Sequence, residues 1–208
     1  MTMKLPLIPN GVKTFINLWP ALRAVYEGIE HGAGRVVEFF ETEKDYVEPF
    51  LAPDLVRYHA RRFIQVRLGQ IDVTMEKVPN ISLRMRFKDH QLWIMKTPDG
   101  DLPAPRSLIK EDFYSQNLPL LVTDPTQIPS PNLAVLWQAP RSYNMVSLKL
   151  VCPRSGDMTT AFTDHYWKQR IPHPAELMGF NMPEDADAAT QEELSAIEKI
   201  IFRKAQDE

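Results

Sequence analysis

The sequence predicts an α+β fold in which N-terminal helices pack on an antiparallel sheet of about four to five strands, with a helix at the C-terminus. Apolar residues recur at intervals of three and four before residue 70, whereas they alternate with polar residues after residue 80. The chain of 208 residues is long enough to bury one core. We therefore expect a single domain over 1–182, with its helical part at 12–69 and its sheet part at 80–170, followed by an acidic hinge and terminal helix over 183–208.

Three helices are expected in the helical part. The first covers 12–29, where Pro20 interrupts the apolar stripe and divides or kinks the helix. The second covers 34–45 and carries glutamates on its exposed side. The third covers 55–68 and begins after a Pro-Asp pair, a frequent helix start. Its pattern predicts one buried side and an arginine-rich contact side.

The strongest strand signal lies at 81–88, where apolar residues alternate with serine, arginine and lysine. Neighbouring side chains of a strand point to opposite faces of a sheet, so one face is expected to be buried and the other basic. A two-residue turn at Asp89-His90 is expected to lead into a return strand over 91–96.

Two further apolar runs, 133–137 and 145–152, predict a second antiparallel pair, because the segment between them is too short for a parallel crossover. A fifth strand is expected within 159–167. The proline-rich segment 102–132, with one short helix at 107–116, is expected to wrap around the outside of the sheet.

Near the C-terminus, Thr190 and Glu193 form a capping box, in which each side chain accepts a hydrogen bond from the backbone amide of the other residue. A terminal helix is expected to begin there, with Leu194, Ile197 and Ile201 on one apolar stripe. Such a stripe packs on its own domain or, after a hinge, inserts into the groove of a partner. The sequence leaves both arrangements open.

The charge of the chain is gathered in blocks, although its total is only −3. Residues 57–96 contain nine lysines or arginines and three acids, whereas 27–48 contain seven acids and two basic residues, and 175–208 contain nine acids and three basic residues. Such a field accelerates encounters with a charged partner but does not identify that partner. The candidate partner-binding residues are Arg57, Arg61, Arg62, Arg84, Arg86 and Lys88. Three roles are open for these residues: they bind an acidic protein, they bind nucleic acid, or they form ion pairs with the acidic blocks of the same chain.

The chain carries no sequence motif for metal binding or for a known catalytic reaction. None of the five histidines lies in an HExxH or Cys/His pattern, and there is no phosphate-binding loop, no GxGxxG and no GxSxG. We therefore expect no metal and no cofactor, and a buried thiol for the single Cys152. The alternative hypothesis is a small enzyme or toxin that acts on nucleic acid through a histidine-acid site. Its candidate catalytic residues are His59, His90, Asp164 and His165.

No apolar run approaches the roughly 18 to 20 residues needed to cross a bilayer, and the N-terminus lacks the basic and apolar segments of a signal peptide. We expect a cytoplasmic protein with no membrane partner.

Several strand and turn segments stand out in the second half of the chain: Leu102-Pro103-Ala104-Pro105, Leu133-Ala134-Val135-Leu136-Trp137, Tyr143-Asn144, Cys152-Pro153-Arg154-Ser155-Gly156, His165-x-Trp167 and Ile171-Pro172-His173. In these segments the chain resembles an uncharacterised family of bacterial and mobile-element proteins that accompany Cro/repressor-type helix-turn-helix regulators. The resemblance implies a role in transcriptional control, in phage or mobile-element regulation, or in a toxin-antitoxin pair. It implies no catalytic residues.

The leading functional hypothesis is a non-catalytic regulatory interaction protein. It would bind a transcriptional regulator, or another acidic macromolecule, through the arginine-rich residues of 57–88. Nucleic-acid binding without catalysis is a third hypothesis, which predicts a steep fall in affinity with salt. A homo-oligomer is also compatible with the sequence.

Overall fold

The structure is a computed structural model that describes residues 10–43, 48–69, 73–75, 83–116 and 130–202. Within these ranges the helices are α1 (Gly11–Glu43), α2 (Ala52–Arg67), α3 (Leu108–Tyr114) and α4 (Gln191–Ile201). The strands are β1 (Val73–Met75), β2 (Leu83–Phe87), β3 (His90–Lys96), β4 (Leu133–Gln138), β5 (Ser147–Asp157) and β6 (Phe162–Ile171). They form one sheet in the order β1-β2-β3-β4-β5-β6. The α+β fold, with N-terminal helices and a C-terminal helix on a mainly antiparallel sheet, is confirmed.

The sheet has six strands within the described residues, whereas four or five were expected. The additional strand is β1, which pairs with β2 and is only three residues long, too short to show an alternating pattern in the sequence. The expected fifth strand is β6, which continues to Ile171. Residues 81 and 82, where we expected the first strand to begin, lie outside the described residues.

The hairpin formed by β2 and β3 is confirmed, but its turn lies one residue earlier than expected. Lys88 and Asp89 both have positive φ, at 44° and 64°, as the two central residues of a type I′ turn require. His90 is therefore the first residue of β3 and pairs with Phe87.

The middle of the sheet contains one parallel pair, β3 with β4, while the other neighbouring strands are antiparallel. A parallel pair needs a long crossover connection, and the connection here carries α3. α3 is capped by Ser107, whose hydroxyl accepts a hydrogen bond from the amide of Lys110 at 3.4 Å. The helix expected at 107–116 is thus present between 108 and 114.

The two helices expected at 12–29 and 34–45 form one continuous helix, α1. Asn10 caps it, since its side-chain oxygen accepts from the amides of Val12 and Lys13 at 3.0 and 3.1 Å. Pro20 lies inside α1 without ending it. Buried residues on both sides of the proline anchor the helix in the core, so tertiary packing outweighs the lost backbone hydrogen bond. Residues 44 and 45 lie outside the described residues.

α1 and α2 pack closely at two glycines of α1. A Cβ on Gly32 would lie 2.4 Å from the carbonyl oxygen of Val56, and a Cβ on Gly28 would lie 2.7 Å from the side chain of Ile64. The absence of side chains at these two positions lets the helices approach each other. The gap between the two predicted helices thus falls where α2 packs on α1.

The sheet is covered on both faces. The larger core lies between the sheet and the helices α1, α2 and α4, with contributions from every strand from β2 to β6. A smaller cluster on the opposite face contains Phe113 and Tyr114 of the α3 segment, packed on Ala134, Leu136 and Val151. The described part 102–116 of the proline-rich segment therefore lies on the outer face of the sheet, as expected, while residues 117–129 lie outside the described residues.

The C-terminal helix packs on its own domain. Ile197 and Ile201 are both 1% exposed and belong to the larger core. The capping box is present, with the hydroxyl of Thr190 accepting from the amide of Glu193. The acidic segment that precedes α4 is attached to α1, because the amide of Ala186 donates to the side chain of Asn17 at 2.9 Å. Among the described helices, none combines the length and the apolar character needed to cross a membrane.

Candidate functional site

The six basic residues expected to bind a partner lie on two opposite faces of the fold. Arg57, Arg61 and Arg62 are on α2, in the helical layer. Arg84 and Arg86 are on β2, whose other residues face the larger core, so the two arginines point to the face that α3 covers. The three arginines of α2 and the two of β2 therefore do not form one contact surface.

On the outer face of the sheet, Arg84 is part of an aromatic stack. Its guanidinium carbon lies 3.6 Å from the ring centroid of Trp93, and Trp93 meets the ring of Phe113 edge-on at 5.2 Å. Arg86 is exposed on the same strand, and the Nζ of Lys88 lies 5.8 Å from the ring centroid of Phe87. Arg84 thus packs against Trp93, which in turn contacts Phe113 of α3, so its packing belongs to the attachment of α3 to the sheet.

The side of α2 that faces away from α1 presents Tyr58 and Arg62, which are exposed, and Arg61, which is half-buried. We call these three residues the α2 outer surface. Tyr58 is 48% exposed. The guanidinium of Arg62 donates to the Tyr58 hydroxyl at 3.3 Å and lies 5.8 Å from the ring centroid. This side of α2 is directed outward because Val56, Ala60 and the other residues of the apolar stripe face α1.

Acidic side chains of α1 neutralise some basic residues, but not those of the α2 outer surface. Glu27 accepts hydrogen bonds from Arg23 at 2.8 Å and from Arg67 at 3.2 Å. Burial opposes ionisation of Glu27, but the two arginines outweigh burial and hold its pKa below the ordinary value. Within the described ranges, no carboxylate forms an ion pair with Arg61 or Arg62.

Arg57 belongs to a different environment from its neighbours on α2. It forms an ion pair with Asp54, three residues before it. Its Nε atom is buried and has no acceptor among the described residues. Its charge contributes to the lowered pKa of Lys96 on β3, after the larger effect of burial. Arg57 is thus directed toward the end of the sheet, whereas Arg62 is exposed and Arg61, four residues after Arg57, is half-buried.

The start of α2 is flanked by exposed apolar residues and by an open cleft. Phe50 is 87% exposed and Leu51 42%. The cleft, of about 290 Å³, lies between α1 and α2 and is lined by Glu43, His59 and the Arg35–Glu38 ion pair, among others. The α2 outer surface therefore has an apolar area at one end and acidic side chains of α1 along one flank.

The four residues proposed as a catalytic site do not come together. His59 is on α2, where burial and then the charges of Arg35, His31 and Arg62 lower its pKa. His90 is on β3, and its ring Nδ1–H donates to the carbonyl of Pro131 at 3.1 Å. Burial lowers the pKa of His90 as well. Local contacts thus explain the environments of His59 and His90, which lie in separate layers of the fold.

Asp164 and His165 lie on β6, far from the other two candidates. Two strands separate β3 from β6, so His90 and His165 are about 14 Å apart at three inter-strand spacings. Asp164 lies 3.5 Å from the guanidinium of Arg154, and its carboxylate accepts from the amide of His165. In the part of the chain that the structure describes, no three His, Cys, Asp or Glu side chains are grouped to hold a metal ion.

A group at the end of β3, where Lys96 contacts Tyr143, was not predicted from the sequence. These residues are 47 positions apart and belong to a strand and a loop, so local sequence patterns do not connect them. One signal was available: Lys96 follows Leu92 and Ile94 at two-residue intervals, which places a charged residue on the core-facing side of the strand.

No family model, curated protein or solved structure matches this chain.

Proposed function

We propose that the protein is a non-catalytic interaction protein that binds an acidic surface of a protein partner through the α2 outer surface. The observation that carries this proposal is the pair Arg61 and Arg62, which have no ion-pair partner among the described residues and lie beside the exposed Tyr58. Arginine and tyrosine dominate the energetics of protein interfaces, because they combine large contact area with hydrogen bonding. Phe50 and Leu51 add apolar area at the start of the same helix.

The charges around α2 favour a protein partner over nucleic acid. Glu43 of α1 lines the cleft beside α2 together with the Arg35–Glu38 ion pair, and the whole chain carries a charge of −3. A continuous phosphate backbone would be repelled by Glu43 and by the net negative charge, whereas a protein can place a few acidic side chains opposite Arg61 and Arg62 alone. The resemblance to companions of helix-turn-helix proteins favours a transcriptional regulator as the partner, and a regulatory role in a cytoplasmic or mobile-element setting.

Affinity purification from the source organism tests this proposal. The tagged protein is purified with and without nuclease, and co-eluting proteins are identified by mass spectrometry. We expect a stoichiometric protein that survives nuclease and is released by salt, because exposed ion pairs are screened. The double variant Arg61→Glu/Arg62→Glu should lose this protein.

Arg86→Glu/Lys88→Glu is the matched control, because it makes the same change in charge on another part of the fold. It should retain the partner. Loss of the partner in this control but not in the α2 variant would contradict the proposal. Co-elution that depends on intact nucleic acid would instead favour the nucleic-acid hypothesis.

A further inference from the structure

Lys96 is a half-buried ammonium group with aromatic neighbours and no carboxylate partner within the described residues. Its Nζ donates to the hydroxyl of Tyr143 at 2.5 Å. It also lies 4.7 Å from the ring centroid of Tyr143 and 5.5 Å from that of Trp137. An ammonium has three N–H donors, so this one contact leaves donor capacity unused.

The charge of Arg57 acts on both Lys96 and Tyr143. Burial, and then the charge of Arg57, lower the pKa of Lys96. The same guanidinium opposes the effect of burial, which raises the pKa of Tyr143. Asp54 pairs with Arg57, yet the Nε of Arg57 stays buried without an acceptor among the described residues. Arg57, Lys96 and Asp54 together carry a net positive charge, which an anion would compensate.

Two further donors accompany the cations. The Tyr143 hydroxyl accepts from Lys96, so its own proton remains available to another acceptor. Trp137 is fully buried, and its indole N–H is unpaired among the described residues. A buried donor without an acceptor is costly, and most such groups in folded proteins are hydrogen-bonded.

The backbone also holds Tyr143 in an uncommon conformation. Its φ is 54°, in the left-handed region that non-glycine residues seldom adopt. Its amide donates to the carbonyl of Pro140, and its side chain is 3% exposed. Residues held in such conformations are enriched at ligand-binding sites. The loop between β4 and β5 thus holds the phenol over the end of β3.

We propose that Arg57, Lys96 and Tyr143 form a binding site for a small oxyanion of phosphate size. Arg57 and Lys96 supply the charge, and the Tyr143 hydroxyl supplies a neutral donor beside them. A phosphate group has enough acceptor oxygens for all these donors, whereas a carboxylate has two. The site does not include Arg61 or Arg62, so it is independent of the α2 outer surface.

Thermal unfolding of the purified protein with inorganic phosphate tests this site, with sodium chloride of equal ionic strength as the reference. Phosphate should raise Tm in a concentration-dependent way, and acetate should raise it less. Lys96→Met should weaken phosphate binding by about tenfold or more, because it removes a charge-assisted hydrogen bond. Lys149→Met is the matched control, since Lys149 is a half-buried lysine of β5 near Gly100. It should respond to phosphate as the wild type does.

The stability of the same variants provides a second readout. Without phosphate, Lys96→Met should be at least as stable as the wild type, because it removes a buried charge without a counterion. With phosphate, the wild type should become the more stable protein. Tyr143→Phe keeps the ring and should also reduce the phosphate response. An absent response in the wild type, or an equal response in the Lys96 and Lys149 variants, would overturn the proposal.

Discussion

Replacing Gly32 with alanine tests how closely α1 and α2 are packed. The new Cβ would lie 2.4 Å from the carbonyl oxygen of Val56, whereas ordinary van der Waals contact begins at 3.4 Å. The two helix backbones would have to separate by about 1 Å, and a gap of this size removes a quarter to a half of the dispersion attraction between facing atoms.

The expected loss of stability follows from two opposing effects. Overpacking a close contact typically costs about 1–3 kcal/mol, and the upper end applies here because the contacted atoms belong to the backbone. Alanine is favoured over glycine inside a helix by about 1 kcal/mol. We therefore expect Gly32→Ala to lower the free energy of unfolding by about 2 kcal/mol.

Gly34 provides the matched control on the same helix. A Cβ at this position meets no atom within 4 Å, so Gly34→Ala should raise the free energy of unfolding by about 1 kcal/mol through helix propensity alone. Urea denaturation followed by circular dichroism measures the free energies of unfolding, which should differ by about 3 kcal/mol between the two variants. In thermal denaturation their Tm values should differ by roughly 6–12 °C for a protein of this size. Equal stability of the two variants would refute the close packing of α1 and α2.

Three further predictions concern single side chains. Lys110 should titrate with a pKa of about 8, because burial and then the charge of Arg106 disfavour its ammonium form. NMR of lysines methylated with carbon-13 measures this pKa, and a value near 10.5 would contradict the prediction. Between these two values the folded state binds fewer protons than the unfolded chain, so this group makes the free energy of unfolding rise with pH there. Burial raises the pKa of Cys152 to about 12, so the thiol should not react with a thiol reagent until the protein unfolds; rapid labelling of the native protein would be evidence against this. Thr190→Ala should lower the free energy of unfolding by about 1 kcal/mol, because the amide of Glu193 loses its acceptor; an unchanged urea midpoint would rule this out.

Local patterns were sufficient to predict most helices and strands. The alternation in β2, the short helix after Ser107 and the capping box at Thr190 each arise from interactions between residues close in sequence. The continuity of α1 could not be predicted in this way. Its middle is stabilised by packing against α2, where glycine is needed for close approach even though it weakens the helical pattern.

Whether the candidate residues lie together depends on which face of the sheet each helix packs on and to which face each strand residue points. The sequence placed Arg61 and Arg84 in one basic segment, but it could not show that α2 and the polar side of β2 lie on opposite faces of the sheet. The parallel pairing of β3 and β4 had no sequence signal either, because it depends on a long crossover between two strands that are far apart in the sequence. The contact between Lys96 and Tyr143 likewise requires the assembled sheet.

The most direct test of the proposed function is the dissociation constant of the complex with the protein captured from the source organism. It is measured for the wild type, for Arg61→Glu/Arg62→Glu and for Arg86→Glu/Lys88→Glu. We predict that the α2 variant binds at least about 100-fold more weakly, because each reversed arginine replaces an attraction by a repulsion at the interface. The control should bind within a few-fold of the wild type. Unchanged affinity in the folded α2 variant would contradict the assignment of the α2 outer surface as the binding surface.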